Sequence, residues 1–327
     1  MRTNIPIVFT IDNSYVKQLS TVICSILYNK KADTHYDFFV LNKDIQKENK
    51  DKLLNFIYEL DNKSSLCFMN VRDYSTDLEF EKYMSRRDNY SYISIETYFR
   101  FFILKIFKQY IKIIYLDSDV LVLGDLKELY DINIDGYYAG VVEDITQKYL
   151  ISNKNVIPID KKYKSYEEYY TKKLKKKTSL YFNAGVLLLN IQELNKDNVF
   201  DKLWKFTIKE SPLELQDQDV LNSILESKIK YLDYKWNVPK DIISFVNENN
   251  IFNNLHMLET SIKPAIIHYI GSNKPWIFSL KDNYSYLFIQ EWWNFYMKTP
   301  FFNEKELKIL NLIHIHVLKH MKNESQS

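Results

Sequence analysis

Glycine and proline are scarce in this chain, 5 and 7 in 327 residues, and with 46% hydrophobic residues that excludes disorder and predicts a globular protein. Cysteine is scarcer still. The 2 present, Cys24 and Cys67, sit in apolar surroundings and read as reduced core residues of a cytoplasmic protein. No apolar run reaches the roughly 18 residues that a membrane-crossing helix needs. The start, Met1-Arg2-Thr3-Asn4 and a short apolar run ending at Asp12, is too brief and too quickly polar for a signal peptide. A dominant charge is missing as well: 44 basic residues face 42 acidic ones, and a net +2 does not call for nucleic acid. Internal repeats and low-complexity linkers are absent, which argues for one large domain, with or without an appendage.

Strands and helices alternate through the first part of the chain. Residues 5–11 read as a buried strand, and Asp12-Asn13-Ser14 offers N-cap chemistry for a helix over 15–28. A strand at 36–41, a polar helix at 46–60 and a strand at 66–71 follow, and a helix over 94–107 leads into an apolar strand ending at Leu116. That period predicts a doubly wound parallel sheet in an α/β fold, with the C-terminal strand ends sharing one edge. Further strands are expected at 137–142 and 180–190, flanking a polar segment, 147–178, whose lysine cluster at 172–177 reads as a solvated face or as a surface for an anionic acceptor or lipid.

The strand at Ile113-Ile114-Tyr115-Leu116 runs into Asp117-Ser118-Asp119. Alternate strand residues share a face, so Asp117 and Asp119 can converge on one hard divalent cation while Ser118 points away. Such an ion is what a departing diphosphate needs, and open α/β sheets bind ligands at these strand ends. Asp-x-Asp also arises by chance, and it recurs at Asp217-Gln218-Asp219. A second apolar run ends at His268-Tyr269-Ile270-Gly271, followed by Lys274. His268 is either a packed, hydrogen-bonded residue or the third ligand of a Mn²⁺ site. Gly271 would admit a phosphate close to the backbone, and Lys274 would offset leaving-group charge or be an ordinary surface lysine. Asp12 is a ligand contact or a plain helix cap.

Taken in order, Ile7-Val8-Phe9-Thr10-Ile11-Asp12, Tyr98-Phe99-Arg100-Phe101, Tyr115-Leu116-Asp117-Ser118-Asp119-Val120, Tyr181-Phe182-Asn183-Ala184-Gly185-Val186, Gln216-Asp217-Gln218-Asp219 and His268 through Trp276 resemble glycosyltransferase family 8, the retaining UDP-sugar enzymes. The resemblance covers roughly residues 5–276. It implies a single GT-A, Rossmann-like domain over 1–276 with a small helical tail over 277–327, and transfer of galactose or glucose from a UDP-sugar to a saccharide or glycolipid acceptor in bacterial surface-glycan synthesis, such as lipopolysaccharide or lipooligosaccharide. It also implies that Asp117, Asp119 and His268 hold Mn²⁺ (or Mg²⁺), that Asp12 and Tyr15 hold the uracil end, and that Arg100 and Lys274 lie near the sugar and diphosphate. Asp144, Asn183, Asp217 and Gln218 then surround the donor sugar, with Gln218 facing the anomeric carbon opposite the leaving group. Ser14 replaces an Asn seen in some members. An amide attacks poorly, so Gln218 favours front-face attack over a covalent intermediate.

The tail carries Trp292-Trp293-Asn294-Phe295-Tyr296 and then an apolar stripe from Leu307 to Leu318 interleaved with lysines. It reads as a peripheral anchor on the cytoplasmic face of the inner membrane, or as a helix packed on the domain or a second subunit. Of His314, His316 and His320 only the last two share a helix face, so no metal is expected there. Two other readings compete with the transferase. A haloacid-dehalogenase-type phosphatase also places Asp-x-Asp after an apolar strand, but has Thr or Val where Leu121 stands. A non-catalytic carbohydrate-binding protein accounts for the aromatic residues but not for the ordered carboxylates.

Overall fold

A computed structural model of the chain describes residues 4–74, 95–153, 156–177, 180–242, 263–271, 274–277, 288–308 and 311. The strands are β1 Ile5–Thr10, β2 Tyr36–Asn42, β3 Ser65–Asn70, β4 Lys112–Leu116, β5 Val120–Val122, β6 Ala139–Glu143, β7 Phe182–Asn190, β8 Ile229–Tyr231, β9 Val238–Pro239 and β10 Ile266–His268. Seven form one sheet in the order β3-β2-β1-β4-β7-β6-β8, and β5, β10 and β9 form a second, small sheet. The longer α-helices are α1 Val16–Asn29, α2 Lys47–Leu60, α3 Ile145–Ser152, α4 Val199–Glu210, α5 Asp217–Leu225 and α6 Ile289–Tyr296.

The main sheet is apolar on both faces because its strands alternate between cores. Ile113 and Tyr115 of β4 enter one core with Val8, Phe101 and Leu187. Ile114 and Leu116 enter the other with Ile7, Phe9 and Val22 of α1. The sheet is mixed where a parallel one was expected, since β7 runs antiparallel to both β4 and β6. Its apolar sequence marks it as buried on both faces, and that property carries no direction.

Three other expectations are corrected. The helix expected over 94–107 is a 3-10 helix, Ile95–Phe102, followed by one α-turn, Ile103–Ile106, in an aromatic-rich stretch of low helix propensity; residue 94 lies outside the described residues. Cys24 is buried but Cys67 is exposed, because β3 is an edge strand with one open face. The lysine run is split by its own packing. Lys172 and Lys175 are exposed and paired with Glu168 and Glu210, whereas Lys176 is buried, 3.2 Å from the carbonyl of Asn222 and 3.4 Å from Glu226. Burial pulls the Lys176 ammonium below its usual range.

A third core joins the small sheet to α6. Trp292, Trp293 and Tyr296 are buried against Leu121, Ile267 and Tyr269, and Trp292 stacks on Tyr296 at 4.8 Å. Most of the apolar stripe beyond Leu307, with His314, His316 and His320, lies outside the described residues. Among the described residues no helix is long and apolar enough to cross a membrane. Trp292→Ala is expected to cost about 3–5 kcal/mol in chemical denaturation. An unchanged midpoint would show that the aromatic segment is dispensable to this core.

Candidate active site

Beyond β4 the chain makes one more ladder bond, from the Asp117 N–H to the Gly185 carbonyl at 2.8 Å, and then crosses into the small sheet. Antiparallel pairing of β5 with β10 sets His268 opposite Val120, and the Tyr269 N–H donates to the Asp119 carbonyl at 2.9 Å. These pairings bring ligand atoms of Asp117, Asp119 and His268 within 4.8 Å of one another, while Ser118 is turned inward. His268 Nε2 lies 3.2 Å from Asp119 Oδ1 and 3.9 Å from Asp117 Oδ2. The approach of β7 demands glycine at 185, since a Cβ there would fall 2.2 Å from His268 Cε1 and 3.0 Å from Asp117 Oδ2. Lys274 Nζ stands 2.6 Å from Asp119 Oδ2 and also donates to the Tyr269 carbonyl. Burial would raise the Asp119 carboxyl, but His268 and Lys274 together hold it well below the usual range.

Arg100 is buried and stacked at 4.5 Å on the Tyr115 ring. It donates to the carbonyls of Thr97 at 3.0 Å and Ala184 at 2.7 Å, and to Asp117 Oδ1 at 2.9 Å, with Asp217 Oδ2 at 3.0 Å. Burial would lower its pKa, but Asp117 and Asp217 raise it, so the cation is permanent. Tyr115 donates to the same Asp117 oxygen at 2.6 Å, and Thr97 bonds Asp217. Burial raises the Asp217 carboxyl despite Arg100, and it raises Asp144 likewise.

Asp144 caps α3 through the Gln147 N–H at 3.1 Å, and its other oxygen lies 3.3 Å from both Asn183 Nδ2 and Gln218 Nε2. The Ala184 N–H, 2.9 Å from Gln218 Oε1, fixes the orientation of that amide. These groups line a cleft of about 240 Å³ that includes Thr97, Arg100, Asp117, Asn183 and Asp217. It meets, at Thr146 and Ile270, a recess of about 190 Å³ lined by Pro239, Lys240 and Ile242.

Three sequence-selected residues remain, Asp12, Tyr15 and Gly271. Asp12 caps the 3-10 turn Asn13–Tyr15, taking the Ser14 N–H at 2.7 Å. Burial first, then Asp119, Asp12 and Asp117, push the Tyr15 phenol up to about 12, so Tyr15 stands beside these carboxylates. Gly271 has φ +84, a conformation that favours glycine. The structure thus gathers Arg100, Asp117, Asp119, Asp144, Asn183, Asp217, Gln218, His268 and Lys274 at one sheet edge.

Sequence reading quoted Gly185 and Asp219 within motifs without giving them a role, and it passed over Asn237, which lies 2.9 Å from His268 Nδ1. Asp219 faces away from the cleft, accepting from the Tyr169 hydroxyl at 2.8 Å, the Leu215 N–H at 3.0 Å and the Tyr181 hydroxyl. It braces the turn at Gln216, whose φ of +48 a non-glycine residue rarely adopts, and so aims Asp217 and Gln218.

Burial lifts the Asp219 carboxyl from 3.8 to about 6 against the pull of its donors. The folded state therefore binds this proton more tightly than the unfolded chain, and the associated stability is full below 3.8 and lost as pH rises through about 6. Relative to Asp219→Asn, the unmodified protein should lose a few kcal/mol between about pH 4 and about pH 7 in a denaturation series. A pH-independent difference would remove Asp219 as the source.

The family model Glycosyl transferase family 8 matches residues 6–279. A putative glycosyltransferase of Haemophilus influenzae is 30% identical over 271 residues, covering 83% of this chain and 72% of that protein. Among solved structures, the bifunctional glycosyltransferase WbbM superposes with a TM-score of 0.80 at 25% identity, over 95% of this chain and 52% of its own. The galactosyltransferase LgtC, solved with donor and acceptor sugar analogues, superposes with 0.70 at 22% identity, over 93% of this chain and 99% of its own, a likeness of fold. The match spans the sheet, both halves of the cleft and the strand that supplies His268: the chain belongs to glycosyl transferase family 8 and is a glycosyltransferase of GT-A fold.

Proposed function

We propose that this protein transfers galactose or glucose from a UDP-sugar to a saccharide acceptor with retention at the anomeric carbon, using Mn²⁺ or Mg²⁺. The observation that carries the reading is the trio Asp117, Asp119 and His268, whose ligand atoms lie within 4.8 Å of one another at the rim of the cleft. Two carboxylates and an imidazole suit Mn²⁺, and Gly185 keeps clear the space that a Cβ would fill between His268 and Asp117. A divalent ion held there would supply positive charge to the diphosphate of the donor.

The chain's own residues account for the rest. Asp12 and Tyr15 flank the nucleoside end, Gly271 lets the backbone approach a phosphate, and Lys274 offsets leaving-group charge. Arg100, Asp217, Asp144 and Asn183 position the sugar. Gln218 has both ends of its amide engaged, by the Ala184 N–H and by Asp144, and it is a poor nucleophile in any case. This favours attack by the acceptor hydroxyl on the face the diphosphate leaves, its proton passing to the departing phosphate oxygen. The recess beside Thr146 and Ile270 is where the acceptor would lie. We place that acceptor among bacterial surface-glycan precursors, such as lipopolysaccharide, reached from the cytoplasmic face. Exposed Lys305 and Lys308 would favour an anionic membrane surface, since Trp292 and Trp293 are spent in the core.

Asp117→Asn and Asp119→Asn should each lower Mn²⁺-dependent hydrolysis of the UDP-sugar by more than about 100-fold, with the fold retained by circular dichroism in chelator although stability falls with the weakened Arg100 and Lys274 pairings. His268→Ala should do less. The glycoside formed from an α-linked donor should show the anomeric coupling of an α product. Full activity in both Asp variants would end the metal assignment, and a β product would end the retaining one.

A further inference from the structure

We infer that Asn237 is a positioning residue that fixes a hydrogen on His268 Nδ1 and so leaves Nε2, 3.2 Å from Asp119 Oδ1, as the nitrogen that gives up its proton when a metal binds. The Nδ1 hydrogen follows from hydrogen bonding alone, while its role in holding a metal rests on the function proposed above. The assignment starts from a group that can only donate. The Gly185 backbone N–H lies 2.9 Å from the side-chain oxygen of Asn183, which fixes that atom as the acceptor end of the amide. Its other end, Asn183 Nδ2, faces an Asp144 oxygen at 3.3 Å, which agrees.

The Asn237 atom 2.9 Å from Asn183 Oδ1 must then be its NH₂ group. The oxygen of Asn237 is therefore left facing His268 Nδ1, also at 2.9 Å, and this nitrogen must carry a hydrogen to satisfy it. Three links in series thus transmit the polarity of one backbone amide to the imidazole. All three side chains are buried, so water cannot substitute for a missing partner.

The fold fixes this contact through its backbone. Asn237 follows the 3-10 turn Tyr234–Trp236, whose first carbonyl takes the Asn237 N–H, and it immediately precedes β9. β9 pairs in parallel with β10 in the register His268 to Pro239, and the Lys240 N–H donates to the His268 carbonyl at 3.0 Å. The Asn237 side chain therefore cannot move independently of the strand carrying His268. Through Asn183 the same relay reaches Asp144 and Gln218, so one string of amides spans the sugar pocket and the carboxylate trio.

The direct test is ¹⁵N NMR of histidine-labelled, metal-free protein at a pH where the imidazole is neutral, with the His268 signals assigned by their loss in His268→Gln. His268 should show a protonated Nδ1 and an unprotonated Nε2, and Asn237→Leu, of similar shape without hydrogen bonds, should admit the Nε2–H form. Mn²⁺ affinity read by electron paramagnetic resonance should fall by about 10–100-fold in Asn237→Leu. An Nε2–H signal in the unmodified protein, or a tautomer and affinity indifferent to Asn237→Leu, would overturn the inference. Failure of the unmodified protein to bind Mn²⁺ would count against the proposed activity instead, because the tautomer is read without metal.

Discussion

A single buried guanidinium organises this molecule's chemistry. Arg100 lies between Asp117 at the end of β4 and Asp217 at the start of α5, elements that belong to different parts of the chain. Removing the cation would leave both carboxylates uncompensated in a poorly solvated setting, a loss of several kcal/mol. Its bonds to the Thr97 and Ala184 carbonyls and its stacking on Tyr115 use the planar fork of arginine in ways that lysine cannot reproduce. The short 3-10 helix that carries Arg100 is tolerated because these contacts, rather than helix propensity, hold it in place.

The small sheet does the complementary work. The carboxylates come from the end of the main sheet, but histidine and lysine come from far along the chain. β5 turns out of the main sheet immediately after Asp119, so β10 can deliver His268 and Lys274 to the same spot. β7 then closes the floor, and only a residue without a side chain fits where it passes under His268. Its antiparallel direction sets Asn183 and Gly185 at the edge where the parallel strands end.

Much of this was legible in the sequence because the key positions sit at ends of apolar runs. Asp117 and Asp119 share a face by strand alternation, and His268 closes another strand, so position alone pointed to a common edge. Family resemblance added Arg100, Asp144, Asn183, Asp217 and Gln218, which carry no local signature of their own. The direction of β7 was not legible, because an apolar strand reads the same whichever way it runs. Cys67 and Lys176 were misplaced for related reasons: local composition cannot show that β3 is an edge strand or that one lysine of a cluster turns inward. Asn237 left no trace either, since its significance lies in a tertiary contact with His268.

The pairing of β5 with β10 has a consequence for how the protein comes into being. Lys274 meets Asp119 across a sequence separation of 155 residues, so the last pieces of the site arrive long after the first have been synthesised. A contact that distant closes a large loop, at a cost in chain entropy that the pairing of β5 with β10 and the contacts around it must offset. Until that loop closes, Asp117 and Asp119 stand at the end of a strand without the imidazole and ammonium that face them in the native state. No amino-terminal fragment ending before β10 contains the complete site.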